Sequence, residues 1–162
     1  MILSGLSQAT FLLEPTGTIG TRTFLQARIA FDWEHGSGYG VGHTVGGPEA
    51  WTSQEVEAAA QWWEDVAADR ESLDKRHVWF GGGVCFGRVS PGPSAEFAID
   101  VIVLPRPDAA RPAIIYNDGQ VELDVVGMDV DYITVDTSAE QVARAAAWWR
   151  AAAQASAAGA DG

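Results

Sequence analysis

The chain writes one phrase twice, 52-TSQEVEAAAQWWEDVA-67 and 137-TSAEQVARAAAWWRAAA-153. In the first copy Thr52 or Ser53 is a natural N-cap, and Glu55 and Glu57 follow where a helix dipole favours negative charge. Val56, Ala59, Ala60, Trp63 and Ala67 then fall at i, i+3, i+4, i+7 and i+11, one apolar stripe. Val142, Ala145, Ala146, Trp149 and Ala153 write the same stripe again. Small alanines let a helix approach a sheet closely, and the stripe tryptophan fills the gap beside them. The tryptophan just before it, Trp62 or Trp148, is turned by about 100°. It either packs on the flank of that face or stands partly exposed as an anchor for a partner. Helices are therefore expected from Thr52 or Ser53 to about Ala68, and over about Ser138 to Gln154.

The rest of the chain reads as strands and turns. Thr10–Leu13 is a short strand closed by a turn at Glu14-Pro15-Thr16-Gly17, and Phe24–Trp33 is a second strand. Alternate glycines at 36, 38, 40 and 42 suggest a loop leading into a weak strand. HVWFGGGVCFGRV and AEFAIDVIVLP flank SPGPS as a hairpin-like pair, with a bulge at the three glycines. AIIYNDGQVEL is the sharpest local signal, because Asp-Gly between two apolar alternations calls for a tight hairpin. A strand around Tyr132–Val135 leads into the second helix.

The two Trp-Trp pairs lie 86 residues apart, and at that offset Phe11 meets Phe97, Ala27 meets Ala113 and Ile29 meets Ile115. This suggests a duplicated strand-strand-strand-helix unit, at 10–68 and 96–154. The outer helix faces differ in charge. Glu57, Glu64 and Asp65 mark the first, Arg144 and Arg150 the second, with Arg150 at the place of Glu64. Opposite charge lets two such helices lie side by side. The expected class is α+β: a mainly antiparallel sheet of about seven strands with two Ala/Trp-rich helices packed on it. A single domain is expected over 1–154, with 155–162 as a frayed tail.

Composition narrows the function classes. Of 162 residues 47% are hydrophobic, and seven Trp and six Phe supply a large aromatic core. The net charge of −12 argues against nucleic acid and anionic membranes, whose phosphates need Lys and Arg. It suits a basic protein partner. Cys85 is the only cysteine, which excludes an internal disulfide, and its apolar setting makes it a core residue. The start of the chain lacks the basic region of a signal peptide, and no apolar run reaches the length of a membrane helix, so a cytoplasmic protein is expected.

Two segments carry candidate chemistry. FDWEHGSGYGVGH offers Asp32, Glu34, His35 and His43, residue types that hold metals or move protons. No metal, nucleotide or nucleophile motif accompanies them, and no cofactor is expected. Glu34 and His35 would also point to opposite faces of a continuing strand. The second segment, Asp118–Asp136, has no Lys or Arg between Arg111 and Arg144. There Glu122 and Asp124, and likewise Asp129 and Asp131, alternate so that each pair shares a strand face. These four acids form the expected docking patch, with Trp62 and Trp148 as candidate aromatic contacts. His77, Arg88, Arg106 and Arg111 are read as surface residues.

One segment also resembles a known family. In SQEVEAAAQWWEDVAADRESLDKRHVWF, the cap Ser53-Gln54-Glu55, the pairs Ala59-Ala60 and Trp62-Trp63, a charged turn and Trp79 follow one another. This order is similar to the closing segment of small immunity proteins of bacterial polymorphic-toxin systems. The resemblance covers less than a fifth of the chain and lacks the Pro often found in that turn. It implies a non-catalytic protein that binds and blocks a basic toxin. A small metal-dependent enzyme at Asp32–His43 and a structural homo-oligomer using Trp62 or Trp148 are the competing classes.

Overall fold

Strand gives way to helix at Thr52 and again at Ser138, and at both places a hydroxyl caps the new helix. Thr52 Oγ1 accepts from the Glu55 N–H at 3.2 Å while the Glu55 carboxylate accepts from the Thr52 N–H at 2.8 Å, a reciprocal capping box. Ser138 Oγ accepts from the Gln141 N–H, and the Glu96 carboxylate accepts from the Ala139 N–H at 2.9 Å. The computed structural model describes residues 1–4, 10–19, 22–30, 34–35, 38–39, 43–71, 77–80, 83–103, 113–117, 120–124 and 131–158.

The first half contains β1 (Ile2–Ser4), β2 (Thr10–Ile19), β3 (Arg22–Ala30), β4 (Glu34–His35), β5 (Gly38–Tyr39), β6 (His43–Thr52) and α1 (Ser53–Ala67). The second contains β7 (Val78–Trp79), β8 (Val84–Val89), β9 (Phe97–Val103), β10 (Ala113–Asn117), β11 (Gln120–Asp124), β12 (Asp131–Thr137) and α2 (Ala139–Ala158). The α+β class and the antiparallel pairing are as expected. The strands divide into two four-stranded sheets, β1-β2-β3-β6 and β7-β8-β9-β12, and two small hairpins, β4-β5 and β10-β11. In each half the hairpin sits between the third and fourth strands of the sheet, and a helix follows the fourth.

Registers give position-by-position counterparts. Just before the helices, Thr23 lies opposite Trp51 and Phe97 lies opposite Thr137, so Thr23 falls against Phe97 when the helices are aligned on their Trp-Trp pairs. Leu25 then matches Ile99, and their partners Pro15 and Arg88 match each other. The offset of 86 lays β6-α1 against β12-α2, and it does not lay the upstream strands of the two sheets against each other. There it couples Phe11 of β2 with Phe97 of β9, and Ile29 of β3 with Ile115 of a hairpin. The cause is the longer connection between β9 and β12, which shifts everything before it.

Several local expectations change. The turn expected at Pro15 is a bulge inside β2, between Pro15 and Gly17, where a residue without an N–H is tolerated. The single strand expected over HVWFGGGVCFGRV is two, β7 ending at Trp79 and β8 beginning at Val84. The Phe80 N–H donates to the Val84 carbonyl at 2.8 Å and Gly83 takes φ 68°, which glycine adopts freely. Asn117 pairs with Gln120 across a two-residue connection, as Asp-Gly requires. α2 continues through Ala158, past its expected end at Gln154.

Phe86 is the centre of the core. Its ring lies 5.6 Å from Phe11, 5.7 Å from Trp62, 5.2 Å from Trp63, 5.7 Å from Phe80 and 6.2 Å from Trp149. The helices meet this centre from opposite halves. α1 leaves the first sheet and lays Trp62 on Phe80 and Phe86 of the second half. α2 leaves the second sheet and stacks Trp149 against Trp51 of β6, at 5.3 Å. Ser156 Oγ, in the last turn of α2, donates to Ser53 Oγ at the start of α1, so the helices run antiparallel. Each Trp-Trp pair adopts the same edge-on geometry, 5.1 Å and 88° in α1, 5.2 Å and 88° in α2.

Candidate functional site

Asp100 is the one acid in the apolar strand FAIDVIV, and β8 and β12 flank it on either side. The register sets Gly87, Asp100 and Thr134 in a row across β8, β9 and β12. His77, one residue before β7, continues that row beside Gly87. Its ring crosses the glycine, where a Cβ would come within 2.5 Å of Cδ2 and 2.6 Å of Nε2. Nothing larger than hydrogen fits beneath the imidazole. The ring reaches Asp100 with Nε2 2.8 Å from Oδ2, and Thr134 Oγ1 donates to Oδ1 at 2.7 Å.

The His77 and Asp100 side chains are each 2% exposed, so the expected surface position of His77 is wrong. A buried carboxylate costs several kcal/mol unless paired and hydrogen-bonded, and here it is both. A histidine held by a carboxylate is a familiar acid-base arrangement, but proton transfer needs reach to a reacting group. This imidazole is shut inside the sheet. Its geometry ties strands together. The sequence did carry a signal, an acid inside an otherwise apolar strand, and Gly87 next to it in register.

A second polar cluster joins the helices. Arg150 donates through Nε and Nη2 to both oxygens of Glu64, at 2.8 and 2.7 Å, and through Nη1 to Glu57 at 2.6 Å. These bonds pull the Glu64 carboxyl below its ordinary range and raise Arg150 above its own. Arg88, expected at the surface, is 11% exposed. It binds the Asp69 carboxylate and the Glu71 carbonyl, each at 2.6 Å, and its guanidinium sits 5.0 Å above the Phe97 ring.

The third feature is a cleft of about 230 Å³ between α2 and the first sheet. Pro15, Thr23 and Leu25 form its floor, and Trp148, Ala152 and Ala155 its wall. Trp148 is therefore half-buried at the edge of a cleft. Trp62 is 6% exposed and belongs to the aromatic core. Trp148, the first of its pair as Trp62 is of its own, packs against the core from its edge and stays partly exposed.

Asp32 and Asp129 lie outside the described residues. Glu34 and His35 form β4, opposite Tyr39 and Gly38, and His43 opens β6 opposite Ile29. Glu122 and Asp124 lie opposite Ile115 and Ala113 in the β10-β11 hairpin, and Asp131 opens β12 opposite Val103. The side chains of these six lie outside the described residues. On the backbone the first candidate segment spans the β4-β5 hairpin, and the second begins after β10 and contains β11 and most of β12. Among the described residues no group of three or more His, Cys, Asp or Glu is placed to hold a metal ion. No helix among them is long and apolar enough to cross a membrane. No protein-family model matches this chain, and neither a curated protein nor a solved structure does.

Proposed function

We propose that this chain is a non-catalytic, acidic protein-binding module of the cytoplasm that occludes a basic protein, as an immunity-type inhibitor does. The observation that carries this reading is how the few cations are spent. The chain has 22 acids and 10 bases. Arg70, Arg88, Arg144 and Arg150 each bind a carboxylate of this same chain. The chain as a whole keeps a net charge of −12, and a field of that sign steers and orients a cationic partner. Glu122 and Asp124 of β11, Asp131 at the start of β12, and Asp129 two residues before it in sequence are its contact patch. We also read the two halves as versions of one strand-and-helix unit, a view supported by their common order of elements.

The test is capture from the lysate of the source organism with the tagged chain as bait. One stoichiometric basic partner that leaves at high salt supports the reading. Reversing the four acids must then weaken its affinity in calorimetry at low salt by at least about tenfold. Unchanged affinity would remove the patch, and retention of no basic protein would remove the function.

A further inference from the structure

Each half of the chain builds its own sheet. Among the described residues every strand pairing lies within one half. The halves meet instead through side-chain packing and helix contacts. Phe11 of β2 and Trp62 of α1 reach the Phe86 ring of β8, at 5.6 and 5.7 Å, and Trp149 of α2 reaches Trp51 of β6 at 5.3 Å. Arg150 binds Glu57 and Glu64, and Ser156 binds Ser53. None of these contacts requires its two sides to belong to one molecule. The covalent link runs from the end of α1 at Ala67 to the start of β7 at Val78. Its ten residues, 68 to 77, reach about 33–36 Å when extended, roughly three times the radius of gyration of an 80-residue globule. That is enough to carry one half clear of the other.

The start of the link is held in a costly shape. Asp69 takes φ 55°, a left-handed conformation that glycine adopts more freely than aspartate. Arg88 of the second half pins it there, binding the Asp69 carboxylate and the Glu71 carbonyl. Strain in a short hinge favours exchange of the elements it joins. We infer that a second copy of this chain is a partner, and that two copies exchange halves about a hinge at Asp69. In the exchanged dimer the first half of each copy packs on the second half of the other, through the contacts of the monomer. A short link holds its own halves at an effective concentration on the order of millimolar. The closed monomer therefore dominates in dilute solution, and exchange competes as the chain approaches that concentration while folding. The inference is independent of the proposed binding function, although an exchanged dimer would present every surface of the monomer twice.

The experiment uses two full-length variants, Arg150→Glu and Glu64→Arg. They are unfolded in urea, refolded alone or mixed at about millimolar concentration, and sized by light scattering. In closed monomers each variant sets like charges against each other where Arg150 and Glu64 normally meet. In the exchanged heterodimer both contacts regain opposite charge. Glu64 of one copy meets Arg150 of the other, and the two substituted residues meet in the second lobe. The mixture is expected to hold at least about tenfold more dimer than either variant alone, and that dimer to melt above both. A dimer of closed chains lying side by side leaves both contacts mismatched and gains nothing from mixing. Asp69→Pro provides a second lever, because proline fixes φ near about −65° and denies the closed link while sparing the packed faces. Its dimer share should exceed that of the native chain at least about tenfold at equal concentration. A mixture no more dimeric than the single variants would overturn the inference, and Asp69→Pro no more dimeric than the native chain would overturn the hinge. If neither charge variant folds alone, a folded dimer that appears only on mixing supports the exchange, and its absence overturns it.

Discussion

Arg150 and Glu64 occupy the same position in two helices 86 residues apart, and they bind each other through two parallel hydrogen bonds. Such pairing of equivalent positions arises where two like elements cross antiparallel. It makes a sharp mutational test, because reversing Arg150 would leave Glu57, Glu64 and the new acid together. Arg150→Glu is expected to lower stability in urea by about 1–2 kcal/mol, and Glu64→Arg in the same chain to restore part of it. Glu57 then faces an acid, so full recovery is not expected. A coupling near zero in the double-mutant cycle would reduce the pair to a screened surface contact.

The same pair sets an acid limit. The Glu64 carboxyl titrates below its ordinary value of 4.5, chiefly because Arg150 hydrogen-bonds the ionised form. A folded-state value beneath the unfolded one contributes stability that is complete above the unfolded value and lost as pH falls through the folded one. Urea midpoints should therefore decline below about pH 4.5, and the decline should be shallower in Arg150→Met. Parallel curves for both proteins would contradict this assignment.

The ring of His77 over Gly87 predicts an unusual conditional effect. Gly87→Ala alone should cost about 1–3 kcal/mol, since the new methyl meets the imidazole. In a His77→Ala background the three atoms nearest that methyl are gone, and it should cost clearly less. His77→Ala itself is expected to be damaging, by about 3–5 kcal/mol, because it takes a partner from the buried Asp100. Equal Gly87→Ala costs in the two backgrounds, measured by chemical denaturation, would show that the ring is not what glycine accommodates.

The tryptophans should separate by role. Trp62→Ala is expected to cost about 3–5 kcal/mol, as it opens a hole against Phe80 and Phe86. Trp148→Ala should cost clearly less and should widen the cleft. Thermal unfolding of the two variants decides it, and equal losses would place Trp148 in the core.

Much of this architecture was readable from spacing. The helix stripes name Val56, Ala59, Ala60 and Trp63, and Val142, Ala145, Ala146, Trp149 and Ala153, all buried, while Ala67 at the end of the first stripe is exposed. Asp-Gly marked a hairpin correctly because two-residue turns have strict local demands. What escaped was whatever depends on neighbours distant in sequence. Pro15 reads as a turn locally, yet pairing with β3 carries the strand through it. His77 looks superficial beside DRESLDKR, and only the register with Gly87 and Asp100 draws it inside. The cleft was unreadable for the same reason, since Pro15, Thr23 and Leu25 of the first sheet meet Trp148 and Ala152 of a helix far along the chain.

Because each helix packs on material from the opposite half, order of synthesis matters. When Trp62 and Trp63 leave the ribosome, the ring that will receive them, Phe86, has not yet emerged, and α2 comes last of all. At about 5–20 residues per second the first half waits several seconds with an apolar stripe uncovered. A nascent chain stalled before Phe86 should therefore be a client for chaperones, whereas the two halves, supplied as separate pieces, carry the means to complete one another.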